Sequence, residues 1–154
     1  MLELIIMRHA HAGEASTDFA RPLRAKGREQ AEEVGKLFVK KELFPDFALI
    51  SPAARTEETY KLVSSEWPSC PAKHVDKMYN GTIHALMEAL SECPERAKRV
   101  ILVAHNPGVS FLAEELSSEP TYIGFSPADW CYMKLDIEKW QDIHPACGII
   151  IENA

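Results

Sequence analysis

The order of apolar and polar positions divides the chain into short buried runs and longer stretches of helical period. Leu2 to Met7 is apolar apart from Glu3 and predicts a buried strand. Between Ala25 and Lys41, the positions of Ala31, Val34 and Phe38 put apolar side chains on one face and predict a helix. Ala48 to Ile50 predicts a second strand, stopped by Ser51-Pro52, and Ala54 to Ser65 a second helix. Ile83, Leu86, Met87 and Leu90 fall at i, i+3, i+4 and i+7, a third helix. Val100 to Ala104 is the clearest strand of all. After it, Asn106 reads as an N-cap and Pro107 as the first residue of a helix carrying Val109, Leu112, Ala113 and Leu116. The tail changes period. Cys131, Met133, Leu135 and Ile137 alternate with polar neighbours, and Gly148 to Ile151 reads as a last strand. This succession predicts an α/β fold, with the late strands pairing antiparallel at the sheet edge.

In open α/β sheets, ligands bind beyond the carboxyl ends of the strands. Three of the predicted strands end in residues capable of chemistry: Arg8-His9, Ser51-Pro52 with Arg55 one helical turn on, and His105-Asn106. If those strands are parallel neighbours, two arginines and two histidines converge on one crevice, and no carboxylate is forced among them. That composition suits an anion. Arg8 and Arg55 offer planar forks that match phosphate oxygens, and the helix expected from Pro107 turns its free N–H groups toward the same place. His105 can donate a hydrogen bond to an oxygen. His9 is the candidate nucleophile, because a neutral imidazole nitrogen can attack phosphorus in line. Two nearby guanidinium groups should hold its pKa down and keep it neutral.

Taken together, these residues resemble the histidine phosphatase superfamily, which has the phosphoglycerate-mutase-like fold. Arg8-His9 looks like that family's Arg-His-Gly motif with Ala10 in the glycine place. The short phosphohistidine phosphatase (SixA-like) branch is the nearest match. It is similar in the opening RHAHAG, in Arg21-Pro22-Leu23 followed by Gly27, in Ser51-Pro52-x-x-Arg55 with Thr59, and in His105-Asn106-Pro107-Gly108. The resemblance implies a three-layer α/β/α fold with a mostly parallel sheet and antiparallel edge strands, and one histidine phosphatase domain over residues 1–154. It implies His9 as the phosphorylated nucleophile, with Arg8, Arg55 and His105 binding the phosphoryl group. Arg21 would lie on a loop reaching the substrate, and Asn106 would sit at the phosphate-binding turn. No metal and no organic cofactor are implied.

Two departures bear on the chemistry. Arg24 stands where the family often has a Thr whose hydroxyl caps the next helix, so that cap is lost or moved. Larger relatives also carry a Glu that protonates the leaving oxygen. The nearest candidate here is Asp76, which otherwise reads as a strand-end or turn carboxylate. A chain short of an acid suits a P–N bond to imidazole better than an alkoxide ester, since acid catalysis contributes about 10²–10⁴-fold. The expected partner is therefore a phosphohistidine-bearing signalling or phosphotransfer protein. A small-molecule phosphomonoesterase using the same site, or a non-catalytic phosphate-binding protein, are the alternatives.

Composition narrows this further. A length of 154 residues favours one domain. The net charge of −6 and the lack of a basic run argue against nucleic acid. No apolar run spans a bilayer, and the N-terminus does not read as a signal peptide. Cys70, Cys93, Cys131 and Cys147 are spread without metal or disulfide spacing, as free thiols in a reducing cytoplasm. His11 lacks companion carboxylates for a metal and reads at most as a rim residue. His74, His84 and His144 read as surface positions, and Trp67, Trp130 and Trp140 as packing residues. Lys40-Lys41 and Arg96 to Arg99 read as solvated ends. Ser110 lacks the elbow of a hydrolase serine.

Overall fold

The computed structural model describes all residues, Met1 to Ala154. In chain order the elements are β1 (Leu2–Arg8), α1 (Ala25–Lys41), β2 (Phe47–Ile50), α2 (Ala54–Val63), β3 (Ala72–His74), α3 (Ile83–Ser91), β4 (Arg99–Ala104), α4 (Gly108–Leu116), β5 (Trp130–Leu135) and β6 (Gly148–Asn153). Short 3₁₀ turns occupy Asp76–Met78 and Trp140–Asp142. All six strands form one sheet in the order β3-β2-β4-β1-β5-β6. The pairs β3–β2, β2–β4 and β4–β1 are parallel, while β5 runs antiparallel to both β1 and β6. The sequence pattern anticipated every one of these strands except β3, whose Ala-Lys-His is exposed throughout and carries no apolar signal.

Strand alternation divides the core into two layers, one on each face of the sheet. Leu4, Ile6, Val100 and Leu102 pack with Leu86 and Leu90 of α3 and with Leu112 and Leu116 of α4. Ile5, Met7, Ile101 and Val103 point the other way, onto Ala31 and Phe38 of α1 and Val63 of α2. Helices on both faces make the three-layer architecture. Trp67 and Trp130 pack against Phe38, stacked and edge-on respectively, and the Trp140 indole N–H donates to the Ala97 carbonyl.

Two local expectations need correction, and one open alternative is resolved. Helix α4 starts at Gly108, with Pro107 as its N-cap, and no side chain caps it. Asn106 uses its side chain elsewhere. Arg99 is not a solvated end: it opens β4 and donates through Nε and a terminal nitrogen to Glu3 Oε1, at 3.0 and 2.8 Å. At the start of α1 the cap is lost outright, since Arg24 holds the position and makes no side-chain cap bond.

Helix α1 clamps the chain just beyond β1. The Arg24 amide donates to the His11 carbonyl, His11 N–H donates to Gln30 Oε1, and Gly13 N–H donates to the Pro22 carbonyl. The approach requires a glycine at 27, because a Cβ there would lie 2.1 Å from the His11 carbonyl oxygen. Gly27→Ala is therefore expected to displace residues 9–11 and cost about 1–3 kcal/mol or more in overpacking. Thermal melting alongside an activity assay checks this, and both should fall together.

Candidate active site

Strands β2, β4 and β1 are consecutive and parallel, so their carboxyl ends lie side by side. That arrangement gathers Arg8, His9, Ser51, Arg55 and His105, as their strand-end positions anticipated. His9, Arg55 and His105 are all buried, at 8%, 4% and 8% exposure.

His9 is held in one tautomer. Its Nδ1 lies 2.7 Å from the Ala10 carbonyl, which can only accept. The ring proton is therefore on Nδ1 and Nε2 keeps its lone pair. The acceptor is itself fixed, because Ala10 N–H donates to Thr59 Oγ1, whose hydroxyl donates to the Arg55 carbonyl. Burial foremost, with the charges of Arg55, Arg8 and Arg21 adding to it, pushes the His9 pKa down to about 4. The direction is the one expected from two nearby guanidinium groups, but the leading cause is burial, which the positions of charges along the chain do not reveal.

His105 lies with its ring centroid 5.5 Å from that of His9. Its Nε2 is 2.7 Å from Ser51 Oγ. The Ser51 hydroxyl can donate to Nε2 or accept from it; with the hydroxyl donating, the ring proton sits on Nδ1. Burial and the Arg55 charge push the His105 pKa down to about 3.

Three buried side-chain nitrogens have no hydrogen-bond partner: Arg8 Nε, Arg55 Nε and His105 Nδ1. Buried polar groups are normally paired. Here two are guanidinium N–H donors and the third is a ring nitrogen that donates when the Ser51 hydroxyl donates to Nε2, and all belong to the side chains brought together around His9. An anion with several oxygens would satisfy such a set.

The remaining bonds of the arginines fix their orientation. Arg8 donates through a terminal nitrogen to the Phe125 carbonyl at 2.8 Å. Arg55 donates to the Asp18 carbonyl at 2.8 Å and to Asp18 Oδ2 at 3.1 Å. Arg21 sits on a loop as anticipated, with Nε on the Gly13 carbonyl and a terminal nitrogen on Asp18 Oδ1. It is half-exposed, and its charge is felt at His9.

Two of the anticipated site residues stand outside this donor set. The Asn106 amide donates to the Phe125 carbonyl, and its oxygen accepts from Ser110 Oγ. It holds the same carbonyl that Arg8 grips and so braces the wall of the site, the hydroxyl of Ser110 serving it. Asp76 is exposed and its side chain makes none of the bonds that tie the site together. From that segment it is Tyr79 that reaches the site, packing edge-on to His105 at 5.8 Å and donating to Asp18 Oδ2 at 2.6 Å. Sequence reasoning missed both Asp18 and Tyr79. The only signal for Asp18 was its place three residues before Arg21, and for Tyr79 there was none.

His11 is half-buried and held through its backbone, while His74, His84 and His144 are exposed. No three His, Cys, Asp or Glu side chains come together as a metal-ligand set. No helix is long and apolar enough to cross a membrane. Beside His105 lies a hollow of about 460 Å³ whose lining includes Asn80, Ile83, Pro107 and the exposed Phe111.

No protein-family model matches the chain, and no curated protein does. Solved structures do. A protein from Nakamurella multipartitia, provisionally named phosphohistidine phosphatase SixA, is 24% identical with a TM-score of 0.89, over 99% of this chain and 95% of that one. The protein histidine phosphatase SixA complexed with tungstate is 23% identical with a TM-score of 0.84, over 99% and 96%. The α-ribazole phosphatase of Shigella flexneri is less similar, at 17% identity and a TM-score of 0.62, over 90% and 93%. These likenesses establish the fold: the chain has the phosphoglycerate-mutase-like α/β/α architecture shared by the histidine phosphatases.

Proposed function

We propose that residues 1–154 form a histidine phosphatase domain that hydrolyses a phosphoryl group through a covalent intermediate on His9, with a protein-borne phosphohistidine as its substrate class. One observation carries the reading. A neutral His9 with a free Nε2 lone pair shares its site with three buried, unpartnered nitrogens on Arg8, Arg55 and His105.

In this mechanism the donors take the non-bridging phosphoryl oxygens and hold phosphorus in line with Nε2. The Nε2–P bond forms as the bond to the leaving group breaks. Water then attacks phosphorus, the Nε2–P bond breaks, and phosphate leaves with His9 neutral again.

The substrate class follows from the supply of protons. Asp18, the carboxylate bonded to Arg55, accepts from Tyr79, Arg21 and Arg55, which hold it well below the usual carboxylate range. It is ionised near neutral pH and cannot serve as an acid. Asp76 is turned to solvent, and we do not assign it the acid role. A phosphohistidine ring protonated on its other nitrogen leaves as neutral imidazole and needs no acid from the enzyme, whereas an alkoxide does. The open hollow beside His105 leaves room for a segment of a partner protein, a signalling or phosphotransfer domain. Four unpaired cysteines suit a cytoplasmic location for that encounter.

A leaving-group series tests the reading. A phosphohistidine-carrying phosphotransfer domain and an aryl phosphate should be cleaved readily, with alkyl phosphates such as phosphoserine or a sugar phosphate slower by about 10²–10⁴-fold. Equal rates on alkyl esters would favour the small-molecule alternative and sink the assignment. NMR titration of the His9 ring should show it neutral at pH 7 and protonated only as pH falls to about 4. An ordinary midpoint near 6.5 would show that burial and the arginines do not depress it.

A further inference from the structure

Asp18 joins three parts of the chain that no sequence motif connects. Its carboxylate accepts from Arg55 at the start of α2, from Arg21 on its own loop, and from Tyr79 beyond β3. Its carbonyl accepts from Arg55 and from the Arg21 amide. The neighbouring Phe19 carbonyl takes the Ala54 N–H, docking this loop on the first turn of α2, and the Phe19 ring packs edge-on to Tyr79 at 5.1 Å.

We propose that Asp18 is the positioning residue for Arg55, fixing the guanidinium so that its unpartnered Nε faces the phosphoryl group. The inference rests on the reading that Arg55 binds phosphate. A guanidinium has five N–H bonds in a fixed plane. Asp18 takes one on each terminal nitrogen of Arg55, which leaves Nε–H and one N–H on each terminal nitrogen for an anion. Phosphate therefore binds without evicting Asp18. With both terminal nitrogens engaged, the plane of the fork is set before substrate arrives, so little ordering cost falls on binding. Arg21 and Tyr79 act one step further back. Arg21 on Oδ1 and Tyr79 on Oδ2 stop the carboxylate rotating away from Arg55.

This account differs from two simpler ones. A carboxylate competing with phosphate for Arg55 would weaken anion binding, and its removal would tighten it. A carboxylate that merely staples the loop would matter equally whether or not Arg55 is present. A double-mutant cycle separates the three. The affinity for inorganic phosphate is measured by calorimetry on the wild-type chain, Asp18→Ala, Arg55→Ala and the double variant. Asp18→Ala should weaken phosphate binding about tenfold in the wild-type background and change it less than about twofold when Arg55 is already Ala. Asp18→Asn keeps the shape and one acceptor oxygen. It should fall between wild type and Ala, and it carries the cycle if the Ala variant fails to fold. Tighter phosphate binding in Asp18→Ala, or equal losses in both backgrounds, would overturn the proposal. Because the readout is phosphate affinity, a failure to turn over phosphohistidine with this cycle intact would remove the substrate assignment and leave the role of Asp18 standing.

Discussion

Replacing His9 by Ala is expected to lower phosphohistidine turnover by about 10⁴–10⁶-fold, the scale on which enzymes lose a covalent nucleophile. No neighbour can take over. His105 is the other ring in the site; its Nε2 is engaged by Ser51, and with that hydroxyl donating, its Nδ1 carries the proton. The fold should survive, because the ring makes a single hydrogen bond, to the adjacent Ala10 carbonyl. Inorganic phosphate should still bind His9→Ala, since Arg8, Arg55 and His105 are untouched. Loss of phosphate binding together with turnover would mean that the substitution had collapsed the site and not removed a nucleophile. Steady-state kinetics with a phosphotransfer domain, run beside phosphate calorimetry, distinguishes the two.

The second large effect is expected at Arg55. Its guanidinium is buried, belongs to the unpartnered donor set, and is the largest charge acting on both histidines. Arg55→Ala should reduce kcat/KM by about 10²–10³-fold, as removal of one preorganised donor does elsewhere. Arg55→Lys should recover little of it, because an ammonium cannot span the Asp18 carboxylate and a phosphoryl oxygen with fixed planar donors. A second signature separates this charge from a packing effect. Arg55 lowers the His9 pKa, so removing it should raise the midpoint from about 4 toward the ordinary imidazole range. The ring would then be protonated over more of the acidic range, and activity at pH 5 should fall relative to pH 7 more than in the wild type. An unchanged His9 midpoint in Arg55→Ala would show that burial alone sets it.

Much of this site could be read from the chain before any coordinates, for a physical reason. Strands buried on both faces are continuous apolar runs, and a polar residue that ends such a run marks the carboxyl edge of the sheet. Arg8-His9, Ser51 and His105 each follow a run of that kind, so their convergence required only that β1, β4 and β2 be neighbours. The helices α3 and α4 announced themselves through apolar stripes that are buried in the fold. What escaped was set by loops. Asp18 and Tyr79 lie 61 residues apart, and the bond between them depends on the path of two irregular segments that carry no periodic signal. Asn106 was misread for a related cause. Asn before Pro is a good local cap, yet a carbonyl at Phe125, 19 residues away, and the Ser110 hydroxyl competed for its amide and won. Gly27 was legible only as part of a motif. Its reason is a close approach of helix α1 to the His11 carbonyl, which one-dimensional pattern cannot reveal.

The central claim is that phosphate passes through Nε2 of His9, and trapping the intermediate tests it most directly. A phosphotransfer domain carrying radiolabelled phosphohistidine is mixed with the enzyme, quenched in base within milliseconds to seconds, and the enzyme is separated and mapped. The account predicts transient, base-stable and acid-labile label on the wild-type chain, confined to the peptide containing His9 and absent from His9→Ala. Label on another residue, or turnover by His9→Ala at the wild-type rate, would contradict it.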